Sequence, residues 1–417
     1  MLDKSSGIFM DVTTGVDKDE SLVVVYLDFH KTSDKVPHKR WKFEKNSNKE
    51  QSCNLDLPKE LPHSIKQRLW DCISSRVSNK EFVSCLKGQI NSHRKMHRPI
   101  QHVERVFYTI LALIGIPVNS LAIVILSRSK CGVSPCTTRY LVIMAAADLM
   151  VIITDVLLRR FRYYYYPRCF LDITPVCSVN GVLYRAARDC SVWFTVTFSF
   201  DRFVTICCQK LKTKYCTEKT ATVVLATTCI LLCLKNIPFY FQYQPVRIIN
   251  NMPFSCDTKS DYYTETWWVA LDWFDTVLTP LLPFALILLF NALTVRHILV
   301  TSRVRKRLKA ENKGENRRDP EMENRRKSVI LLFTISGSFI LLWFIYVVDF
   351  LYFVIQEMNP DDYPPFLFHF RRVGYMLQRL SCCTNTFIYA ATLPRFRAKF
   401  SNAVKYLVTR IACAMNK

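Results

Sequence analysis

Long apolar runs dominate this chain after residue 105, whereas polar residues dominate before it. The first run, VFYTILALIGIPVNSLAIVILS (106–127), carries no charged residue. A helix of that length spans the roughly 30 Å hydrocarbon core of a bilayer. Comparable runs recur downstream. The pattern predicts seven membrane-spanning helices near 104–128, 138–160, 174–208, 219–242, 267–300, 327–356 and 366–392.

The two ends of the chain differ from this central region. After the last predicted span, PRFRAKFSNAVKYLVTRI (394–411) alternates basic and apolar residues at helical spacing, which predicts an amphipathic helix on the membrane surface. Residues 1–95 contain no run long enough to cross a bilayer. The predicted fold class is an all-α membrane protein: a seven-transmembrane helix bundle over 96–393, a C-terminal amphipathic helix and tail over 394–417, and a poorly structured extension over 1–95.

Charge adds an orientation to this picture. The net charge is +23, although half of the residues are hydrophobic, and the basic residues cluster in short loops. Cytoplasmic loops are enriched in Lys and Arg, so the basic loops after the first, third and fifth spans, above all 303–327, are predicted to face the cytoplasm. The chain should be a multi-pass protein of the plasma membrane. The arginines at 159, 160, 162 and 168, and those before the first span, are exceptions to the pattern.

Several polar residues lie inside the predicted spans, where lipid disfavours them. Asp148, in MAAADLM, costs several kcal/mol unless it faces partners inside the bundle. Ser191, Ser381 and Asn385 could supply oxygen atoms at a similar depth. An acid with neutral oxygens suits a sodium ion or a water cluster better than a transition metal. A purely structural hydrogen-bond network is the alternative, and no other cofactor is expected.

Two further pairs of residues bear on function. Asp201 and Arg202 end the third span, where the acid can hold the arginine until a partner binds it; charges at a helix end are also common interfacial anchors. Cys177 and Cys256 both lie on the predicted oxidising side. A disulfide between them would hold the loop after the fourth span over the bundle, with Cys169 as a competitor for either partner.

The motifs GIPVNSLAIVIL, MAAADLM, SFDRFVTICC, LLPF, FILLW and NTFIY follow one another in an order that resembles the rhodopsin-like family of G-protein-coupled receptors over 100–405. AAADL, VWFTVTFSFDRF and NIPFYF further resemble its branch called G-protein coupled receptor 139-like. Cys177 lies 25 residues before Arg202. In the family, the same spacing separates the cysteine of the disulfide on the third helix from the arginine of the ionic lock at its cytoplasmic end. Residues at family positions are Asn119, Asp148, Cys177, Arg202, Pro283, Trp343, Asn385 and Tyr389.

The resemblance implies a receptor and not an enzyme. Its partners would be the lipid bilayer, an extracellular ligand and a heterotrimeric G protein, with no nucleic acid. Asp201, Arg202, Trp343, Asn385 and Tyr389 would carry activation and coupling. Three departures, at positions 291, 345 and 386, make a degenerate or non-signalling receptor the alternative. Asn291 replaces a tyrosine, and Ile345 and Thr386 replace prolines, including the one that usually kinks the sixth helix.

The outer halves of the predicted spans carry an unusual number of charges. Intramembrane charges are functional candidates by default, and a ligand that uses them should be an amino acid or short peptide with both charge signs and an apolar body. The alternative is that the charges neutralise one another between helices. Tyr184 stands where amine receptors carry an aspartate, which argues against a monoamine. The predicted ligand-binding residues are Tyr184, Arg185, Arg188, Asp189, Asp272, Asp275, Asp349, Arg372 and Arg379.

The N-terminal extension resembles a different family. LVVVYLDFHKTSDKVPHKR (22–40) is similar to the palm of retrotransposon reverse transcriptases, with Asp28 and Asp34 at acidic positions. Polymerase chemistry needs a further acid pair, and the only Asp-Asp, at 361–362, lies in a predicted receptor loop. We therefore interpret 1–95 as transposon-derived, the alternative being a genuine extension of the receptor.

The sequence also argues against another class of membrane protein and against a zinc site. A transporter or channel is disfavoured because seven spans show no internal two-fold repeat. The seventeen cysteines show no paired CxxC spacing of a zinc site, and most lie in apolar runs, where a thiol is usually a small buried hydrophobe.

Overall fold

The computed structural model describes residues 8–16, 22–31, 39–46, 79–129, 131–166, 169–249, 251–259, 262, 265–311, 320–356 and 364–415. The chain divides into two compact units. The first comprises Met1–His102 and Phe353–His369, and the second comprises Val103–Tyr352 and Phe370–Lys417.

The first unit contains a three-stranded antiparallel sheet in the order β1-β2-β3, formed by Ile8–Val16, Leu22–Lys31 and Lys39–Asn46. Sequence analysis expected little regular structure here. The run LVVVY at the start of β2 is rich in β-branched and aromatic residues, which favour a pleated strand. Asp28 lies within β2, in register with Asp11 and Arg40, and therefore does not end the strand. Asp34 lies outside the described residues, and the reverse-transcriptase resemblance stays a prediction.

The rest of the described chain is mostly helical. Its main helices are α1 Asn79–Arg128, α2 Pro135–Tyr165, α3 Thr174–Cys207, α4 Glu218–Gln242, α5 in the three segments Thr266–Thr276, Val277–Leu281 and Leu282–Glu311, α6 Pro320–Gln356, α7 Pro365–Thr392 and α8 Pro394–Met415. Helix α2 ends in a π-helical stretch, Ile152–Phe161, and a last turn, and α4 ends in a 3-10 helix, Ile237–Gln242.

Helix boundaries differ most from the predicted ones at α1, α5 and α6. Helix α1 begins at Asn79, so the predicted domain boundary after residue 95 lies inside it. Helix α5 continues to Glu311 and α6 begins at Pro320. Hydropathy detects only the apolar part of a helix, because the polar turns beyond it carry no hydrophobic signal.

Five of the described helices are long and apolar enough to cross a membrane: α1, α2, α4, α5 and α6. Helices α3 and α7 carry more charges, among them Arg185, Arg188 and Asp189 in α3 and Arg372 and Arg379 in α7. Most of these charged side chains are buried against other helices. The chain is therefore a mostly helical membrane protein.

One core joins seven of these helices. Buried side chains of α1, α2, α3, α4, α6, α7 and α8 pack in a single cluster that includes Leu126, Tyr140, Phe198, Tyr389 and Phe396. Many large apolar side chains of the same helices point outward, as lipid-facing positions require. The cluster also reaches α8, where Phe396 is fully buried while the basic residues on either side of it are exposed. Helix α8 is thus amphipathic, with one face on the core.

The connection between α4 and α5 forms a β-hairpin that the predicted all-α fold did not include. Strands β4 Tyr243–Ile249 and β5 Met252–Thr258 pair antiparallel, and Asn251 in the turn adopts φ 58°. Asparagine tolerates this left-handed conformation better than most residues. A disulfide joins Cys256 of β5 to Cys177 of α3, which resolves the predicted pairing in favour of these two residues, since Cys169 is free.

Three of the arginines that break the predicted charge pattern have acidic neighbours. Arg159 and Arg160 approach the buried carboxylate of Asp155 at 3.4 and 3.9 Å, and Arg162 pairs with Asp172. These arginines take part in the internal electrostatics of the helices, so the loop-charge pattern does not govern them.

Replacing Cys256 by Ser should lower stability by about 2–4 kcal/mol, because the bond closes a long loop of the unfolded chain. Thermal unfolding in detergent micelles under non-reducing conditions measures this effect. Cys169→Ser is the matched control and should unfold like the native protein. Equal unfolding midpoints for all three proteins would show that the hairpin is held by packing alone.

Candidate ligand site and activation residues

Helices α3, α4 and α5 meet at a buried ionic network. Arg188 donates to Asp189 Oδ1 at 2.9 and 3.0 Å and to Asp275 Oδ2 at 3.0 Å. Lys235 Nζ donates to Asp189 Oδ2 at 2.6 Å and also pairs with Asp275. Arg185 approaches Asp275 Oδ2 at 3.5 Å. Three cations thus share two carboxylates, and we call these five residues the first ionic cluster.

Neutral groups complete the first ionic cluster. Asn236 donates to Asp189 Oδ2 at 2.8 Å. Arg185 donates to Gln242 Oε1 at 3.0 Å, and its guanidinium lies 4.1 Å from the centroid of the Phe239 ring. These contacts matter because an ion in a low-dielectric interior needs every lone pair or proton satisfied.

A second ionic cluster joins α2 and α7 around Asp155, which is fully buried. Arg379 pairs with Asp155, and the guanidinium groups of Arg159 and Arg160 lie near the same carboxylate. Arg379 also donates to Tyr184 Oη at 3.3 Å and to the Tyr375 carbonyl at 2.8 Å. We call Asp155, Arg159, Arg160, Arg379 and Tyr184 the second ionic cluster. Its three cations share one carboxylate, so its net positive charge is larger than that of the first ionic cluster.

The remaining predicted ligand residues lie apart from these contacts. Arg372 pairs with Glu104 at 3.4 Å, which links α7 to α1. Asp272 accepts a hydrogen bond from Tyr262 Oη at 2.7 Å. Asp349 is buried in α6, and its Oδ1 has no hydrogen-bond partner among the described residues. The structure therefore gathers six of the nine predicted residues into the two clusters: Tyr184, Arg185, Arg188, Asp189, Asp275 and Arg379.

A small cavity of about 10 Å³ lies between the two clusters, which is room for about one water molecule. It is far smaller than ligand pockets, which measure roughly 300–1,000 Å³. Two arginines line it, one from each cluster, and the lining includes no carboxylate. The lining residues are Val151, Tyr184, Arg188, Ser191, Trp343, Gln378, Arg379 and Cys382.

The cavity borders the polar centre predicted around Asp148. Ser191 donates to Asp148 Oδ1 at 2.5 Å, and Asn385 donates to Oδ2 at 2.8 Å. Ser381 is not brought to this carboxylate; it accepts from Trp343 Nε1 at 3.2 Å instead. Both oxygens of Asp148 are therefore satisfied by protein groups, as a structural network requires. Asn385 turns its amide nitrogen toward Asp148, so the described contacts form a hydrogen-bond network, and the sodium site stays a prediction.

Trp343 connects the cavity to the core of α6. Its indole ring stacks on Phe339 with ring centroids 5.1 Å apart and meets Tyr346 edge-on at 5.7 Å. Since the same side chain lines the cavity and bonds to Ser381 of α7, a ligand that displaces Trp343 would disturb both helices.

Arg202 is held by its neighbour at the end of α3. Its Nε donates to Asp201 Oδ2 at 3.0 Å, and both residues are buried. Cys136 of α2 donates to the other carboxylate oxygen, Oδ1, at 3.4 Å. In this arrangement the guanidinium is occupied within the protein and is not presented to a partner.

The three departures from the family pattern have local structural consequences. Asn291 accepts from Ser336 at 3.1 Å, which joins α5 to α6, and Thr386 donates to Asn119 Oδ1 at 3.1 Å, which joins α7 to α1. Helix α6 continues through Ile345 without interruption, as expected where no proline is present. Tyr389 is buried, and its hydroxyl has no partner among the described residues.

Sequence reasoning did not identify Lys235, Asp155 or Glu104, although each lies in a buried ionic contact. The signal was available, since Lys235 and Asp155 interrupt apolar runs in the same way as the charges that were selected. Their partners could not be assigned without the packing of the helices.

Asp275→Asn should destabilise the protein by about 3 kcal/mol, because it leaves Arg185, Arg188 and Lys235 buried with one carboxylate among them. Asp272→Asn, in the same helix but outside the first ionic cluster, is the matched control and should have a small effect. Thermal unfolding of the two purified variants measures the difference. Similar midpoints would mean that the cations are stabilised by other groups.

The sequence of this chain is similar to those of a known protein family. The sequence pattern of the family described as "7 transmembrane receptor (rhodopsin family)" matches residues 118–389. Among similar proteins, the compound eye opsin BCRH1 of Hemigrapsus sanguineus is 24% identical over 302 residues, covering 70% of this chain and 76% of the opsin. G-protein coupled receptor 182 of Homo sapiens is 22% identical over 316 residues, covering 73% of this chain and 70% of that receptor.

A further relative is the FMRFamide receptor of Drosophila melanogaster, which is 24% identical over 230 residues, covering 50% of this chain and 40% of that receptor. Members of the matched family are receptors and not enzymes. Because the match extends from α1 to Tyr389 in α7 and so covers most of the helical region, the chain belongs to the rhodopsin family of seven-transmembrane receptors.

Proposed function

We propose that this protein is a plasma-membrane receptor of seven spans that converts the binding of a small extracellular ligand into activation of a heterotrimeric G protein. The ligand is an amino acid or the end of a short peptide. The single observation that carries this proposal is the cavity between the two ionic clusters, which Arg188 and Arg379 line together with Trp343.

The chemistry of the cavity supports a ligand with a carboxylate. A planar guanidinium binds a carboxylate with two parallel hydrogen bonds, and Arg188 and Arg379 belong to clusters in which cations outnumber acids. The carboxylates of Asp189, Asp275 and Asp155 already hold those cations, so a ligand amine finds fewer free acids. The sequence predicted a ligand that carries both a positive and a negative group. The charges beside the cavity favour a ligand whose negative group makes the main contact.

A relative supports the same class. The cavity of about 10 Å³ holds no more than about one water molecule, so a ligand of amino-acid size, or one terminal residue of a peptide, would bind only when the helices that line it move apart. One relative is named as a receptor for FMRFamide, which supports a peptide as the second form of ligand. Kinship with the branch called G-protein coupled receptor 139-like stays a prediction that rests on the quoted motifs.

Activation is a population shift between two arrangements of the helices. A ligand in the cavity contacts Trp343 and favours a state in which the end of α6 moves away from α3. Arg202 then leaves Asp201 and binds the α-subunit of the G protein. The hydrogen bond from Ser336 to Asn291 opposes this movement of α6, so the ligand's differential affinity must exceed that cost.

Asp148, Ser191 and Asn385 are also proposed to hold a sodium ion. The ion would balance the charge of the buried carboxylate, while Ser191 and Asn385 orient that carboxylate by hydrogen bonds. Ser381, which the sequence also predicted as a sodium ligand, accepts a hydrogen bond from Trp343 instead and would affect the ion only indirectly.

The receptor function is tested by ligand-dependent nucleotide exchange on G proteins in cells that express the full chain. The panel contains amino acids and short peptides, each paired with its carboxamide. We expect a response to acids that weakens in the amides by about tenfold or more, the value of one charged hydrogen bond. Arg202→Ala should abolish the response at equal surface expression.

Arg139→Ala is the matched control, since Arg139 of α2 forms an exposed pair with Glu218 of α4 and such pairs contribute little. It should respond like the native receptor. A receptor that reaches the surface, responds to nothing and has the same basal exchange as Arg202→Ala would contradict signalling. The degenerate receptor would then be the better description.

Asp148→Asn should remove the dependence of agonist potency on sodium. In the native receptor we expect sodium to lower potency by about fivefold or more relative to the same concentration of choline, a value at the lower end of allosteric coupling. Equal potency in sodium and choline for the native receptor would leave Asp148 with a purely structural role.

A further inference from the structure

Helices α3 and α4 bring three cysteine side chains together next to the first ionic cluster. Cys229 and Cys233 lie one turn apart on α4, and Cys190 faces them from α3. We propose that these three thiols, the tricysteine site, bind a thiophilic cation of the copper(I) or zinc(II) type. The proposal does not depend on the identity of the receptor's ligand.

The distances fit three-coordinate binding by sulfur. The three Sγ atoms lie within 4.8 Å of one another, and Sγ of Cys190 is 4.0 Å from Sγ of Cys229. Metal–sulfur bonds are about 2.3 Å long. Three sulfurs arranged trigonally around a metal at that distance are therefore separated by about 4 Å, so only small side-chain movements are needed.

The ligand chemistry selects a soft metal. Thiolates prefer copper(I) and zinc(II) over the hard cations that carboxylates and hydroxyls bind. Each thiol that binds loses one proton to solvent, so binding is coupled to proton release. No oxidation or reduction is required.

The first ionic cluster, in which three cations share two carboxylates, offsets part of the negative charge that three thiolates would introduce. Asp189 precedes Cys190 on α3, and Lys235 follows Cys233 by two residues on α4. Lys235 and Arg188 belong to the first ionic cluster, in which cations outnumber carboxylates. A bound thiolate group would therefore lie beside surplus positive charge, and the metal would join α3 to α4 next to the cavity.

Graded exposure distinguishes this group from ordinary buried thiols. Cys190 is buried and Cys229 is half-buried, whereas Cys233 lies on the outer face of α4, which faces lipid in a membrane-spanning helix. The other free cysteines among the described residues form no comparable group of three. Cys382 and Cys383, for example, are only neighbours in sequence.

The test uses the full-length receptor in lipid nanodiscs, reduced, stripped of metal and titrated with Cd²⁺. Binding is followed by thiolate-to-cadmium charge-transfer absorption. We expect one Cd²⁺ per receptor at high affinity. Cys190→Ala, Cys229→Ala and Cys233→Ala should each weaken binding by more than about tenfold, since even outer-shell changes at metal sites cost that much. Cys383→Ala, a buried cysteine outside the group, should bind as the native receptor does.

Competition by Zn²⁺ and by Cu⁺ then distinguishes the two metals. Cys233→Ala changes an exposed side chain, so its folding should not be affected and its loss of binding is decisive. Unchanged affinity in this variant would overturn the proposal. The same holds if peptide mapping finds a Cys190–Cys229 disulfide in receptor purified without reductant, because the thiols would then form a redox pair.

Discussion

The structure of this receptor depends on the pairing of buried charges. An unpaired ion in a low-dielectric interior costs several kcal/mol, so a helix that carries charges must be packed against helices that carry their partners. Asp189 and Asp275 meet this requirement for Arg185, Arg188 and Lys235, and thereby specify how α3, α4 and α5 contact one another. Asp155 does the same for α2 and α7.

The same constraint shapes the proposed ligand site. Each ionic cluster has more cations than acids, and one arginine of each cluster lines the cavity. A carboxylate completes this electrostatic arrangement, whereas an amine would add to its surplus. The charges therefore neutralise one another between helices only in part, which was the structural alternative that the sequence raised. The positive charge that remains would make the proposed site prefer a ligand with a carboxylate.

Polar contacts also compensate for the departures from the family pattern. Where the family has prolines or a tyrosine, this chain uses Thr386 and Asn291 in hydrogen bonds between helices, and α6 continues without interruption through Ile345. In the proposed activation, α6 moves away from α3 and Arg202 leaves Asp201. That movement would break the hydrogen bond from Ser336 to Asn291, which has a net value of about 1 kcal/mol.

The sequence by itself determined the membrane class, the apolar helices and the motif positions, because hydropathy and residue spacing are local properties of the chain. The sequence also predicted Asp201 beside Arg202, a Cys177–Cys256 bond with Cys169 as a competitor, and Ser191, Ser381 and Asn385 around Asp148, of which Ser381 lies beside Trp343 instead. The hairpin of β4 and β5, the roles of Lys235 and Asp155, and the meeting of Cys190 with Cys229 and Cys233 were not. Only the tertiary structure decided these, since which side chains meet across different helices depends on helix rotation and packing, and periodicity along one helix does not encode the partner on another.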